Sequence, residues 1–302
     1  MANIILVALF PLIFLIALGY VLKRFRFLED KFWHGAEKLN YYLLFPVMLF
    51  LGLAHAEIQA SEIRHMMLGA GLTLLIAVCL LYILKALYGT AAARFGVYMQ
   101  GMVRFNTYIG LALSASLFYQ QGMALFAILL VFCIPLVNVL SVLALTNSEG
   151  MRLQSILLSL LKNPLILGCI VGGVFNLLNL RLWIGFENYL KQIAISSLPL
   201  GLMCIGAALQ FQGLRKDLRT LLLNTFGRLL LMPMIALATC LALNLPALHT
   251  QILVMFFALP TASSAYILTK VLGGDSQLMA SVISLQTVCA AFSLPLILWW
   301  VM

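Results

Sequence analysis

Two short polar stretches interrupt a chain made otherwise of apolar runs. One is Arg104-Phe105-Asn106-Thr107-Tyr108-Ile109-Gly110, and the other is Leu259-Pro260-Thr261-Ala262-Ser263-Ser264-Ala265-Tyr266. Irregular backbone inside a bilayer is tolerated only where it is buried in protein or faces a water-filled cavity, because each unpaired peptide group there costs several kcal/mol. Breaks at these places leave half-helix N-termini with unpaired N–H groups and a partial positive charge, which suits binding of an anion. Asn106, Thr107, Thr261, Ser263 and Ser264 are the short-range hydrogen-bonding side chains, Gly110 and Pro260 permit the interruptions, and Tyr108 and Tyr266 shape the space between them. For Ser114 and Ser116 the favoured reading is a bond to their own helix carbonyls.

Charge within an apolar span is a mark of function by default. Arg104 sits just before the first break, and Arg228 lies about two turns into a later apolar run. Two readings stay open for each: it faces the cavity and attracts an anion, or it snorkels to the inner surface. Asn138 and Gln286 either line the same cavity or join neighbouring helices.

Absences narrow the chemistry further. All nine carboxylates, Glu37 among them, are placed by the pattern in loops or at span ends, so no membrane-embedded acid is expected as a proton or sodium relay. The four His are also peripheral, leaving Ser263 and Ser264 without a base, and Gly273-Gly274-Asp275 lacks the second in-span Asp that an intramembrane protease needs. Catalysis is therefore not expected, and no metal or cofactor is implied. The six Cys all lie in apolar segments without metal-ligand spacing and are read as small buried residues.

The elements that must position these residues are membrane spans. Hydrophobic residues make up 64% of the 302 and charged residues 9%, which excludes an ordinary soluble domain. Apolar length and breaker residues predict ten helices near 4–22, 38–54, 66–88, 98–119, 122–145, 163–180, 191–210, 218–243, 250–271 and 277–301. Of the 18 Lys and Arg, fifteen fall on one side of this arrangement and only Arg64, Arg181 and Lys191 on the other. By the positive-inside rule both termini face outward, and the net charge of +9 reflects topology rather than nucleic-acid binding. The first run lacks a basic leader and cleavage site and reads as a retained helix. The mixed-charge stretch around Trp33, from Lys23 through Lys38, is either an amphipathic helix along the inner surface or a solvated loop.

Five spans in each half, 1–150 and 151–302, put the halves in opposite orientation. At a constant offset of 153, Pro11-Leu12-Ile13 with Gly19 matches Pro164-Leu165-Ile166 with Gly172, Pro46 matches Pro199, and Thr107 falls on Pro260. The polar breaks thus occupy spans 4 and 9, corresponding places in two inverted repeats, where transporter binding sites are found.

At these residues the chain resembles a bacterial member of the auxin efflux carrier family, within the larger group that includes bile acid:sodium symporters. The likeness runs over essentially the whole length: Pro11 and Gly19, Leu44-Phe45-Pro46, residues 106–111, Asn163-Pro164, the segment from Leu259 through Tyr266, and Gly273-Gly274-Asp275. It implies ten helices in two inverted five-helix repeats, a scaffold from spans 1, 2, 6 and 7, and a transport part whose spans 4 and 9 are broken and cross. It also implies elevator-like alternating access, often as a homodimer, a bacterial inner-membrane location and small carboxylate substrates. Family members often carry proline two residues after the glycine of span 4. Here Gly110 is followed by Leu111-Ala112, so that interruption rests on Asn106 and Gly110. The missing carboxylate near the crossing counts against sodium symport.

The expected function is a secondary transporter of a small organic anion, with efflux as the direction. Sodium- or proton-coupled uptake of a carboxylate is the alternative, and an anion channel the third reading.

Overall fold

A computed structural model describes residues 2–54, 56, 60–145, 163–211 and 217–302. The division between the two halves, and Arg152, Lys162, Arg215 and Lys216 of the charge pattern, lie outside the described residues. Every regular element among the described residues is helical. We number the α-helices α1 Ala2–Arg24, α2 Asp30–Leu39, α3 Phe45–Ala54, α4 Ala60–Tyr88, α5 Ala92–Val103, α6 Thr107–Leu145, α7 Pro164–Leu177, α8 Ile184–Ala208, α9 Leu218–Phe226, α10 Met232–Ala242, α11 Ala247–Ala258, α12 Ser264–Val271 and α13 Ser276–Val301.

These bounds follow the apolar runs closely. Among the described residues, six helical stretches are long and apolar enough to cross a membrane, and the 54-residue stretch 92–145 is kinked at Tyr119, whose φ is 52°. Pro164–Leu177 and Ala247–Ala258 are shorter apolar helices. With no water in the hydrocarbon to receive backbone groups, a continuous helix is the conformation such runs must take. The surface left exposed is apolar where lipid would lie, as on α1 with Ile4, Val7, Phe10 and Phe14. The stretch around Trp33 resolves as the helix α2, whose Trp33 and Ala36 pack on Cys204 and Ala207 of α8.

Two close helix pairs form one side of the molecule: α1 on α8, and α3 on α7. Both depend on glycine. A Cβ on Gly19 would lie 1.9 Å from the Met203 carbonyl oxygen, and one on Gly172 would lie 2.7 Å from that of Phe50. Backbones can approach this closely only without a side chain between them, and in lipid, where no hydrophobic effect drives helices together, such packing supplies the adhesion.

Among the described residues two single π-helical turns interrupt spans, Asn40–Leu44 between α2 and α3 and Gly227–Leu231 between α9 and α10. Such turns cluster at functional positions because they re-aim side chains within a helix. The first turns Asn40 onto α8, where its Nδ2 donates to the Ser197 carbonyl at 3.0 Å and its Oδ1 accepts from Ser197 Oγ at 2.8 Å. The second carries Arg228.

Candidate binding site at the crossing

Spans 4 and 9 are both broken. The chain leaves α5 in extended conformation at Arg104 (φ −76°, ψ 151°) and leaves α11 in extended conformation at Leu259 (φ −65°, ψ 142°). It re-enters helix at Thr107 and at Ser264. The break in span 4 thus forms with Leu111-Ala112, and no proline, following Gly110. Where the two segments pass, the Asn106 N–H donates to the Pro260 carbonyl at 2.8 Å.

Each break presents two kinds of helix end. At the C-terminal ends of α5 and α11, the Arg228 guanidinium donates to three carbonyl oxygens: Met102 at 2.6 Å, Leu259 at 2.6 Å and Phe256 at 3.4 Å. Its side chain has no solvent exposure, so neither the cavity nor the inner surface receives it. A cation there compensates the negative ends of both half-helices and satisfies carbonyls that the breaks would orphan. Behind the crossing, Thr261 N–H donates to Gln286 Oε1 at 2.9 Å, while Thr261 Oγ1 and Gln286 Nε2 both donate to the Gly101 carbonyl at 3.0 Å. Gln286 Nε2 also reaches Asn224 Oδ1 at 3.0 Å, so Gln286 joins helices.

The N-terminal ends of α6 and α12 face a cavity of about 220 Å³. Cavities for drug-sized ligands run from roughly 300 to 1,000 Å³, so this one is sized for a small molecule. Of the residues singled out from sequence, Arg104, Asn106, Thr107, Tyr108, Asn138, Ser263 and Ser264 line it. Asn106 caps α6, its Oδ1 accepting from the N–H groups of Tyr108 and Ile109 at 3.1 and 3.2 Å. Its Nδ2 takes no part in the cap.

Arg104 is held by neutral partners throughout. Nε donates to Ser141 Oγ at 3.1 Å, one terminal nitrogen to Ser264 Oγ at 3.3 Å and the other to Asn138 Oδ1 at 2.6 Å. Among the described residues no carboxylate pairs with it, so a full positive charge is fixed in place beside the N-terminal ends of two half-helices.

The other singled-out residues lie apart from the cavity. Gly110 is buried, and a Cβ there would lie 2.2 Å from the Phe126 ring. Pro260 contributes its carbonyl to Asn106, Thr261 and Gln286 belong to the network behind the crossing, and Tyr266 packs beside Val97 and Val282 in a separate apolar cluster. Ser114 Oγ donates to its own helix at the Gly110 carbonyl, 2.8 Å away.

Sequence reasoning missed three polar lining residues. Asn163 caps α7, accepting from Leu165 and Ile166 N–H, with Pro164 in the first helical position where its absent N–H is no loss. Tyr41 stands on the first π turn. Glu37, placed among the peripheral carboxylates from sequence alone, lines the cavity from the last turn of α2. Its i+3 and i+4 spacing to Asn40 and Tyr41 was the available signal, since a helix continuing through residue 40 puts all three near one face.

A helical membrane bundle with a small polar cavity between two broken helices is the architecture of a transporter. The comparisons with known proteins agree. A family model described as membrane transport protein matches residues 4–298, so the chain belongs to that family, which includes the auxin efflux carriers. An uncharacterized transporter of Methanocaldococcus jannaschii is 23% identical over 308 residues, covering 95% of this chain and 94% of the relative. Both indicate a multi-pass transporter rather than an enzyme.

Proposed function

We propose that this protein is a secondary transporter that moves a small organic anion of the carboxylate class by alternating access at the crossing. The observation that carries the reading is Arg104: a buried guanidinium with only neutral partners, lining a small cavity between the N-terminal ends of α6 and α12. Burying a cation without a counter-charge is costly unless an anion completes the site.

Two inverted five-helix repeats supply the mechanics in this reading. The glycine contacts support it: Gly19 meets Met203 and Gly172 meets Phe50, and the offset of 153 converts one pair into the other with the partners exchanged. That is the relation inverted repeats generate. Helices α1, α3, α7 and α8 then form the rigid scaffold, and the crossed segments move against it as an elevator. Glu37 and Asn163 precede spans 2 and 6, so the positive-inside orientation opens the cavity toward the cytoplasm of a bacterial inner membrane. An anion leaving an inside-negative cell gains about 2.3 kcal/mol per charge per 100 mV, which favours efflux.

The test is flux from proteoliposomes loaded with single carboxylates under an imposed potential. Saturable efflux that rises with potential and is lost in Asn106→Ala is expected. Unsaturable flux indicates a channel, and wild-type rates in Asn106→Ala remove the site from the crossing.

A further inference from the structure

Two opposite charges line one cavity of about 220 Å³ without neutralising each other. Arg104 is bonded to Asn138, Ser141 and Ser264, and Glu37 has no ion-pair partner among the described residues. At the far end of the same helix, Asp30 pairs with Lys23 at 3.3 Å, so α2 satisfies its outward acid and leaves its inward one for the cavity. A carboxylate ligand drawn in by Arg104 meets a second carboxylate on the wall, and like charges in a small, poorly hydrated space repel strongly. A proton on Glu37 removes that repulsion and turns the wall into a hydrogen-bond donor.

Resting on the anion-site reading above, we infer that Glu37 takes up one proton as the anion binds and gives it back as the anion leaves. The proton comes from water on the side to which the cavity is open and returns to water on the side of release. A dicarboxylate moved with one proton still carries net negative charge, so the membrane potential continues to drive it.

The groups facing Glu37 set its balance. His34 and Lys38 flank it on its own helix, Tyr41 follows on the π turn, Tyr108 approaches from α6, Cys204 from α8, and Arg104 lines the same cavity. Burial raises the Glu37 carboxyl above its ordinary value, and the nearby His34 opposes that rise. The field of a bound anion raises the carboxyl in the same direction as burial, so anion binding and protonation of Glu37 favour each other.

Calorimetric titration of the detergent-solubilised full chain with oxalate and with lactate tests this, because both stay ionised above about pH 6. Repeating each titration in buffers of different ionisation enthalpy counts the protons taken up. The expected result is about one proton per anion in the wild type, with affinity falling about tenfold per pH unit as pH rises above the Glu37 pKa. Glu37→Gln should bind without proton uptake, at a pH-independent affinity no weaker than the wild type at its lowest pH, and Glu37→Asp should keep the uptake. Proton uptake that persists in Glu37→Gln, or wild-type binding that is flat with pH, overturns the inference while leaving the anion site standing. Glycine binding more tightly than either anion and failing in Glu37→Gln assigns the carboxylate to an ammonium group and also overturns it. Absence of binding by wild type and variants at every pH removes the anion reading itself and the proton with it.

Discussion

The backbone N–H of Asn106 donates to the carbonyl of Pro260 at 2.8 Å, tying the break in span 4 directly to the break in span 9. This single bond joins residues 154 positions apart at the point where each helix gives up its own hydrogen-bond ladder. Around it the four half-helix ends are sorted by sign. The two negative ends point to Arg228, buried in protein, and the two positive ends point to the cavity that Arg104 lines. One arginine completes the structure, and in the proposed function the other serves the ligand.

That division predicts opposite behaviour for the two arginines. Arg228→Ala removes the donor from the Met102 and Leu259 carbonyls and leaves the Phe256 carbonyl only its bond from Leu259 N–H, at a cost of about 3 kcal/mol or more. A large drop in thermal stability in detergent, the same with and without anion, is the expected result, and Arg228→Lys should recover part of it.

Arg104→Gln should reduce carboxylate affinity about 10- to 100-fold, the loss of one charge-assisted hydrogen bond of about 1.5–3 kcal/mol. The ligand-free protein should be no less stable than the wild type, because a buried cation without a counter-charge is itself destabilising. Unfolding curves and binding isotherms on the same preparation check both halves of the statement.

Gln286→Leu separates the network behind the crossing from the cavity. It strands the Thr261 N–H and removes one of two donors to the Gly101 carbonyl, costing about 1–3 kcal/mol of stability. Anion affinity should change less than threefold, as measured by calorimetry.

The paired glycines carry the scaffold. Gly19→Ala and Gly172→Ala each place a methyl group against a facing carbonyl and should each cost about 1–3 kcal/mol, with similar loss of thermal stability in detergent. A neutral result at either would show that α1 and α8, or α3 and α7, separate freely.

Much of this arrangement was readable from residue type and depth. Apolar length located the helices, because a bilayer admits few alternatives to a continuous helix, but α2, α4, α5 and α8 begin six to eight residues before the expected spans. Polar residues among apolar ones located both interruptions, and seven of the residues named on that ground line one cavity. Residue type did not reveal which polar group was already satisfied. Arg104 and Arg228 look alike in sequence, each one cation within an apolar run. Only the fold shows that Arg228 meets three helix-end carbonyls while Arg104 meets side chains at the cavity wall. Thr261 and Gln286 were indistinguishable from Ser263 and Asn138 for the same reason. Glu37 escaped notice because it lies in a mixed-charge stretch before span 2. Its inward aim arises from α2 running through a π turn into α3, a continuity that hydropathy does not register.

If the crossing binds a carboxylate, the ligand-dependent thermal stability of the purified protein reveals it. A panel of mono- and dicarboxylates, indole acids, amino acids and neutral analogues is compared on the wild type, Asn106→Ala and Arg104→Gln. A ligand at one hundred times its Kd stabilises the folded state by about 2.7 kcal/mol, so a true substrate raises the midpoint well above scatter. At least one carboxylate is expected to do so, with the shift lost in Asn106→Ala and cut to about 1.4 kcal/mol or less by the weaker binding of Arg104→Gln. Stabilisation by neutral compounds alone, or a carboxylate shift of the same size in all three proteins, would contradict it.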